Sequence, residues 1–251
     1  MSSMYRLLLL AFLAETPEEL YQRGLRLMAE HQAEAAIGAF EQAAELRPGD
    51  ASIWKALGVA FASRGDYRKA EEPLRKACRL NPRLPDACLY LGRTLYLEDR
   101  FDAALEVLRQ GSTSAQSRRI EAMSLEALGR AAEAKAAFEQ AMRLPDHAAP
   151  NEDPGIDFGV FLFRQGQAEE ALPILREALG RHPDASRAHL ELGCVLLALD
   201  RLEESVPQLE RAVALEPGSA RAHLLLGKAY LRIGKADLAQ RELDQGSRTI
   251  K

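Results

Sequence analysis

Apolar residues recur along the chain three and four positions apart, in short stretches separated by turn residues. Trp54, Leu57 and Phe61 form one such stripe, with the spacing of one face of an amphipathic helix. Paired stretches are divided by Gly65-Asp66, Gly129-Arg130, Gly166-Gln167 and Gly234-Lys235, where glycine supplies the positive φ of a tight inter-helix turn. Pro48, Pro82, Pro183 and Pro217 follow the second stretch of a pair, because proline cannot continue an interior helix hydrogen-bond pattern. The pattern predicts an all-α chain of helix–turn–helix units.

The units repeat every 34 residues. Gly24, Gly58 and Gly92 are 34 apart, as are Gly159, Gly193 and Gly227, and Ala122 holds the same place in a degenerate unit between them. The units run 17–50, 51–84, 85–114, 115–148, 152–185, 186–219 and 220–251, after a leader at 1–16 and around an insert at 149–151. Small residues recur at the twentieth position of the unit (Ala36, Ala70, Ala104, Ala134, Ala171, Ser205, Ala239). They recur again at the twenty-seventh (Ala43, Ala77, Gly111, Ala141, Ala178, Ala212, Gly246). Such side chains let paired helices approach at the short end of the usual spacing. Large residues, Phe40, Leu74, Leu108, Phe138, Leu175, Leu209 and Leu243, are expected to fill the space between units. One unit cannot bury its apolar faces alone, so stacked neighbours supply the core.

This pattern resembles the tetratricopeptide repeat family over nearly the whole chain. The resemblance is fullest in the second unit, where Trp54, Leu57, Gly58, Phe61, Ala70, Leu74, Ala77 and Pro82 match the family pattern. It implies a right-handed α-solenoid of seven stacked repeats, with the first helix of each unit lining a concave face. The family usually ends in an extra solvating helix. Here the last expected helix, 236–245, carries Gln240, Arg241, Glu242, Asp244 and Gln245, polar coverage of the kind a terminal repeat requires. An incompletely covered end that self-associates is the alternative.

Two segments depart from the repeat. The third unit is four residues short, and Gly111-Ser-Thr-Ser interrupts its second helix. The fourth places Arg118 and Glu121 where bulky apolar residues belong, which leaves its first helix the weakest in pattern. The stretch 145–154 (PDHAAPNEDP) reads as a loop, with Asp153 as N-cap and Pro154 as the first helical residue. A break in repeat regularity is expected across 111–154.

A net charge of −4 argues against a general nucleic-acid binder, which needs a basic surface to displace counterions. No apolar run approaches the roughly 18–20 residues that span a bilayer. Arg6 followed by apolar 7–14 fits the start of a secretory signal, although the region after it is a poor cleavage site. A short helix packing on the first repeat fits equally, so cytoplasmic and exported locations both stand. Cys78, Cys88 and Cys194 have no zinc-site spacing and read as small buried hydrophobes. A Cys78–Cys88 bridge is the alternative in an oxidising compartment.

The histidines do not converge on a catalytic constellation. His189 and His223 hold the fourth position of their units, as Trp54 and Cys88 do, and read as packing residues; His31 lies at an inter-helix turn, His147 in the loop and His182 before Pro183. There is no phosphate loop, H-E-x-x-H pair or nucleophile elbow. No enzyme, cofactor or metal is expected.

By the resemblance, positions two, five, nine, twelve and thirteen of each first helix face the groove. The apolar ones are Tyr21, Leu25, Met28, Val59, Leu89, Tyr96, Met123, Ile156, Val160, Phe163, Leu190, Cys194, Leu197, Leu224 and Leu231. The basic ones are Lys55, Arg93, Arg119, Arg164, Arg187, Arg221, Lys228 and Arg232, against only Glu18, Asp86, Glu126 and Asp153. That skew points to an acidic or carboxylate-bearing segment in the carboxy-terminal half, since arginine suits bidentate carboxylate contacts. The chaperone-binding members' carboxylate clamp is missing: Val59 follows Lys55 where asparagine is required, and Tyr90 stands at position six of the next unit. The resulting reading is a non-catalytic scaffold or adaptor that binds a protein or peptide in its groove, with no nucleic acid and no membrane span. An assembly factor of an exported or envelope complex, acting through homo-oligomers, is the alternative.

Overall fold

The computed structural model describes residues 15–84, 86–111, 113–145 and 149–249. The signal-like stretch 1–14 and His147 lie outside these residues. Every long element among them is an α-helix, and the helices come in seven consecutive pairs. The chain forms two compact units that divide after Thr113.

The first unit holds three pairs: α1 (Pro17–Ala29) with α2 (Ala33–Leu46), α3 (Ala51–Ser63) with α4 (Tyr67–Leu80), and α5 (Ala87–Leu97) with α6 (Phe101–Gln110). The second holds four: α7 (Ala115–Ala127) with α8 (Ala131–Arg143), α9 (Pro154–Arg164) with α10 (Ala168–Arg181), α11 (Ser186–Ala198) with α12 (Leu202–Leu215), and α13 (Ala220–Arg232) with α14 (Ala236–Thr249). Within each unit a helix packs on its pair partner and on the next pair.

Side-chain caps fix where several first helices begin. Thr16 and Glu19 form a capping box at α1, and Ser114 and Ser117 do so at α7. Asp50, Asp153 and Ser219 accept backbone N–H groups at the starts of α3, α9 and α13. Each cap satisfies a donor that the helix itself leaves open. The charged positions Arg118 and Glu121 do not prevent α7, because they pair with each other on its surface. Ahead of α9, the 145–154 stretch is not wholly irregular: Pro150–Glu152 forms a 3₁₀ turn, which hands the chain to Asp153 and Pro154. Three prolines, Pro73, Pro173 and Pro207, sit inside second helices, an interior placement at odds with reading proline only as a stop.

The periodic glycines mark close helix approach. An added Cβ at Gly193 would fall 2.7 Å from Leu209, and at Gly227 2.8 Å from Leu243; Gly24, Gly58, Gly92 and Gly159 meet Phe40, Leu74, Leu108 and Leu175 at least as closely. The large residues seat over the glycine of their own pair and also fill space toward the next one: Phe40 clusters with Leu57, Leu74 with Leu91 and Leu95, and Leu209 with Leu226. Phe138 does both. It sits opposite Ala122 in the repeat register, stacks at 5.4 Å on Phe158 of the next pair and meets Phe161 of that pair at a tilt, also at 5.4 Å.

The inter-helix turns share one conformation. Gly65, Gly129, Gly166 and Gly234 have φ of 73–78°, and His31, Asp99 and Asp200 hold the same place with φ of 57–60°. The left-handed region costs a residue with a Cβ about 1 kcal/mol or more. Asp99→Gly is therefore expected to raise stability by about 0.5–1 kcal/mol, read as a higher urea midpoint; an unchanged or lower midpoint would refute the turn argument.

The cysteines divide differently from the reading that all three are free. Cys78 near the end of α4 is bonded to Cys88 at the start of α5, across Cα atoms 4.9 Å apart, and only Cys194 is a free, half-buried thiol.

Candidate functional site

The face lined by first helices carries a series of ion pairs in the second unit. Arg119 Nε donates to Asp157 Oδ2 at 2.5 Å, and Arg187 donates to the other oxygen of the same carboxylate. Asn151 accepts the backbone N–H of Arg187 at 3.0 Å and steadies it. One repeat further on, Arg221 grips Glu191 with both guanidinium nitrogens, at 2.5 and 2.8 Å. Asp157 and Glu191 are each 6% exposed. Burial pushes the Asp157 carboxyl up, but the charges of Arg119 and Arg187 and their hydrogen bonds outweigh it and hold the group below the usual carboxylate range. Asp153 follows the same logic: burial raises it, and the Arg181 fork and the Gly155 N–H more than reverse the effect.

These pairs correct the charge count. Asp157 and Glu191 stand at position six of their units, which the groove positions omit, and each lies 30 residues before the arginine it holds. Arg232 is likewise engaged, donating to Leu197 O at 2.6 Å and to Asp200 at 2.5 Å, and Arg164 faces Glu126. Carboxylates of the chain itself already occupy most of the basic positions counted toward an acidic partner.

The apolar groove positions also separate. Ile156 is fully buried with Ala178, Ala185 and Ala188, while Leu190 and Leu197 belong to the core around Leu209 and Leu226. These three are core residues, not contact residues. Tyr21, Met28, Lys55, Val59, Leu89, Tyr96, Val160, Phe163, Arg187 and Leu224 are half-buried. Leu25, Arg93, Arg221, Lys228 and Leu231 are exposed. Leu231 keeps 55% of its surface in solvent.

A cavity of about 210 Å³ opens on the first unit between α3 and α5. Val59, Ala62 and Ser63 form one wall, Tyr90, Arg93, Thr94 and Leu97 the other, and Tyr67 at the start of α4 closes one side. Leu97 is 44% exposed. Thr94 turns its hydroxyl inward to the Tyr90 carbonyl at 2.8 Å, so it presents its methyl to neighbouring groups. Apolar walls with an arginine and tyrosines at the edge suit a side chain of mixed character. Of these residues the groove positions had named only Val59 and Arg93. Leu97 lies at position thirteen and was legible by the same rule, whereas Tyr67 belongs to a second helix that the rule excludes.

Histidines at position four act as struts. Trp54 Nε1 donates to Pro48 O at 2.9 Å, and His189 and His223 place Nε2 3.0 Å from Pro183 O and Pro217 O. Their Nδ1 atoms face Gln208 and Glu242 on the paired helix. Among the described residues no cluster of three or more His, Cys, Asp or Glu could hold a metal ion. No helix there is long and apolar enough to cross a membrane.

Comparison with known proteins covers most of the chain. Sequence profiles described as "Tetratricopeptide repeat" match residues 21–85 and 61–128, and one for the "Cilia and flagella-associated protein 70 middle TPR-like domain" matches 119–251. A "BBSome complex member BBS4 homolog" of Drosophila melanogaster is 28% identical over 154 residues; the match covers 57% of this chain and 32% of that protein. The chain thus spans about a third of the length of this curated relative. Among solved structures, the Cut9–Hcn1 hetero-tetramer of the APC/C matches 93% of this chain and 45% of its own, with a TM-score of 0.71 at 16% identity. A tetratricopeptide repeat protein from Parabacteroides merdae covers 93% of both chains, with a TM-score of 0.68 at 11% identity.

Proposed function

Because the chain belongs to the tetratricopeptide repeat family, a non-catalytic protein-interaction scaffold, we propose that it binds an extended or helical segment of a partner protein along its first-helix face, anchored in the first unit. The observation that carries this reading is the cavity between α3 and α5, whose apolar walls and exposed Leu97 fit one apolar side chain. The carboxy-terminal unit takes second place. Its arginines at position two are held by Asp157 and Glu191, so an acidic ligand would have to displace a carboxylate already in place. The Drosophila relative, named as a member of a multi-protein complex, supports a role inside an assembly.

The test is a peptide selected from a random displayed library on the intact chain, then titrated against two variants of matched helicity. Leu97→Asp is expected to weaken binding by about tenfold or more, since it puts a charge at the cavity mouth. Leu231→Asp, on the other unit, is expected to leave affinity unchanged. Equal binding to wild type and Leu97→Asp would overturn the site, and loss confined to Leu231→Asp would move it to α13.

A further inference from the structure

The bond between Cys78 and Cys88 holds the start of α5, the helix that supplies one wall of that cavity. Cys88 is the second residue of α5, and Tyr90, Arg93 and Leu97 of the same helix line the cavity. The first turn of α5 is packed in the core at Ala87 and Cys88, but its backbone start is strained. Asp86 before it sits at φ 65° and makes no side-chain cap, an arrangement that costs backbone energy. Thr16, Asp50, Ser114, Asp153 and Ser219 cap the other first helices, except α11, whose uncapped Ala185 has ordinary extended backbone. Beside Cys88 the packing is tight: a Cβ added at Gly111 would lie 2.7 Å from the Cys88 Cβ. The disulfide thus tethers the first turn of α5 to α4 where capping does not.

We propose that this disulfide is a redox switch on the cavity wall: oxidised, it holds the first turn of α5 and the cavity in shape; reduced, it releases both. The reductant is a dithiol. One of its thiolates attacks a cysteine sulfur, forming a mixed disulfide as the Cys78–Cys88 bond breaks, and the released thiolate takes up a proton. The second reductant thiolate then displaces the remaining cysteine sulfur, which is protonated in turn. Two electrons pass to the protein, and the reductant leaves as a disulfide. The cysteines are 3% and 2% exposed, so attack follows local opening of the α4–α5 connection. The consequence for partner binding rests on the cavity being the partner site; the ordering of α5 does not.

The experiment compares the full chain after treatment with oxidised glutathione and with dithiothreitol. Intact mass after denaturation in N-ethylmaleimide is expected to show one adduct, on Cys194, in the oxidised sample and three in the reduced one; three adducts in both would overturn the proposal. Amide exchange over residues 86–91 is expected to rise at least tenfold on reduction, while α11 to α14 stay unchanged. No rise there would also overturn it. A Cys78→Ala, Cys88→Ala variant should exchange at the reduced rate and ignore dithiothreitol; protection equal to the oxidised chain would refute the tether. Affinity for the library-selected peptide should fall about tenfold on reduction. Unchanged affinity alongside faster exchange would overturn the binding consequence alone.

Discussion

Truncating Phe138 to alanine is expected to lower stability by about 3–5 kcal/mol, the largest single loss in the second unit. The ring is completely buried, and it joins two repeats by stacking on Phe158 and meeting Phe161 at a tilt, each 5.4 Å away. Such aromatic pairs contribute about 0.5–1.5 kcal/mol beyond their buried area. The repeat around it starts from a larger residue at the close-approach position, Ala122 in place of glycine, so its helices have less room to collapse onto a void. Urea unfolding monitored by circular dichroism supplies the number, and amide exchange should show the loss centred on α8 and α9. A cost under about 1 kcal/mol would mean that the neighbouring repeats close the gap and that Phe138 is not the joint between them.

Removing the carboxylate of Asp157 is the second large effect. Asp157→Ala leaves Arg119, 8% exposed, without its buried partner and releases Arg187. Breaking a buried pair from one side costs about 3–5 kcal/mol. The expected loss is near 3, because the Arg187 side chain keeps a third of its surface in water. Asp157→Leu with Arg119→Met is expected to recover the share that comes from stranding Arg119, since replacing a buried pair with apolar groups is close to neutral, while Arg187, a third exposed, still loses its partner. If the double variant is as damaged as the single one, the charge pair is not what holds this layer. Acid provides an independent check. Asp153 and Asp157 have folded-state values below their ordinary ones, so their stabilisation is present above about pH 4 and disappears as pH falls through the folded values. Asp157→Leu with Arg119→Met should flatten the acid limb of the stability curve.

The 34-residue period was legible because the physics behind it is local. Gly58 must face Leu74 sixteen residues on, and a side chain there would overlap it, so sequence spacing and spatial spacing coincide. The three non-glycine turns were legible as left-handed only through the register, since His31, Asp99 and Asp200 hold the fifteenth position that glycine fills in the other units. Groove position was only half legible. Position five is half-buried at Tyr21, Leu89 and Leu224 yet buried at Arg119, Ile156 and Leu190, because the arginine–carboxylate series and the packing of first helix on first helix cover it in three of the four repeats of the second unit. The disulfide was open in the sequence, where a ten-residue separation allows a bridge without requiring one; the approach of α4 and α5 decides it.

The separation of 30 residues between each buried acid and its arginine has a consequence for how such a chain can change length. Arg187 belongs to Asp157 and Arg221 to Glu191, so each repeat carries half of a lock whose other half is on its neighbour. A transplanted repeat without an arginine at its second position, slipped between α12 and α13, would separate Glu191 from Arg221 and leave a carboxylate buried alone, whereas a copy of the 186–219 repeat would bring its own arginine and acid and keep both pairs. The repeats look like interchangeable beads, but these two junctions are keyed, and the order of the carboxy-terminal repeats is written into them.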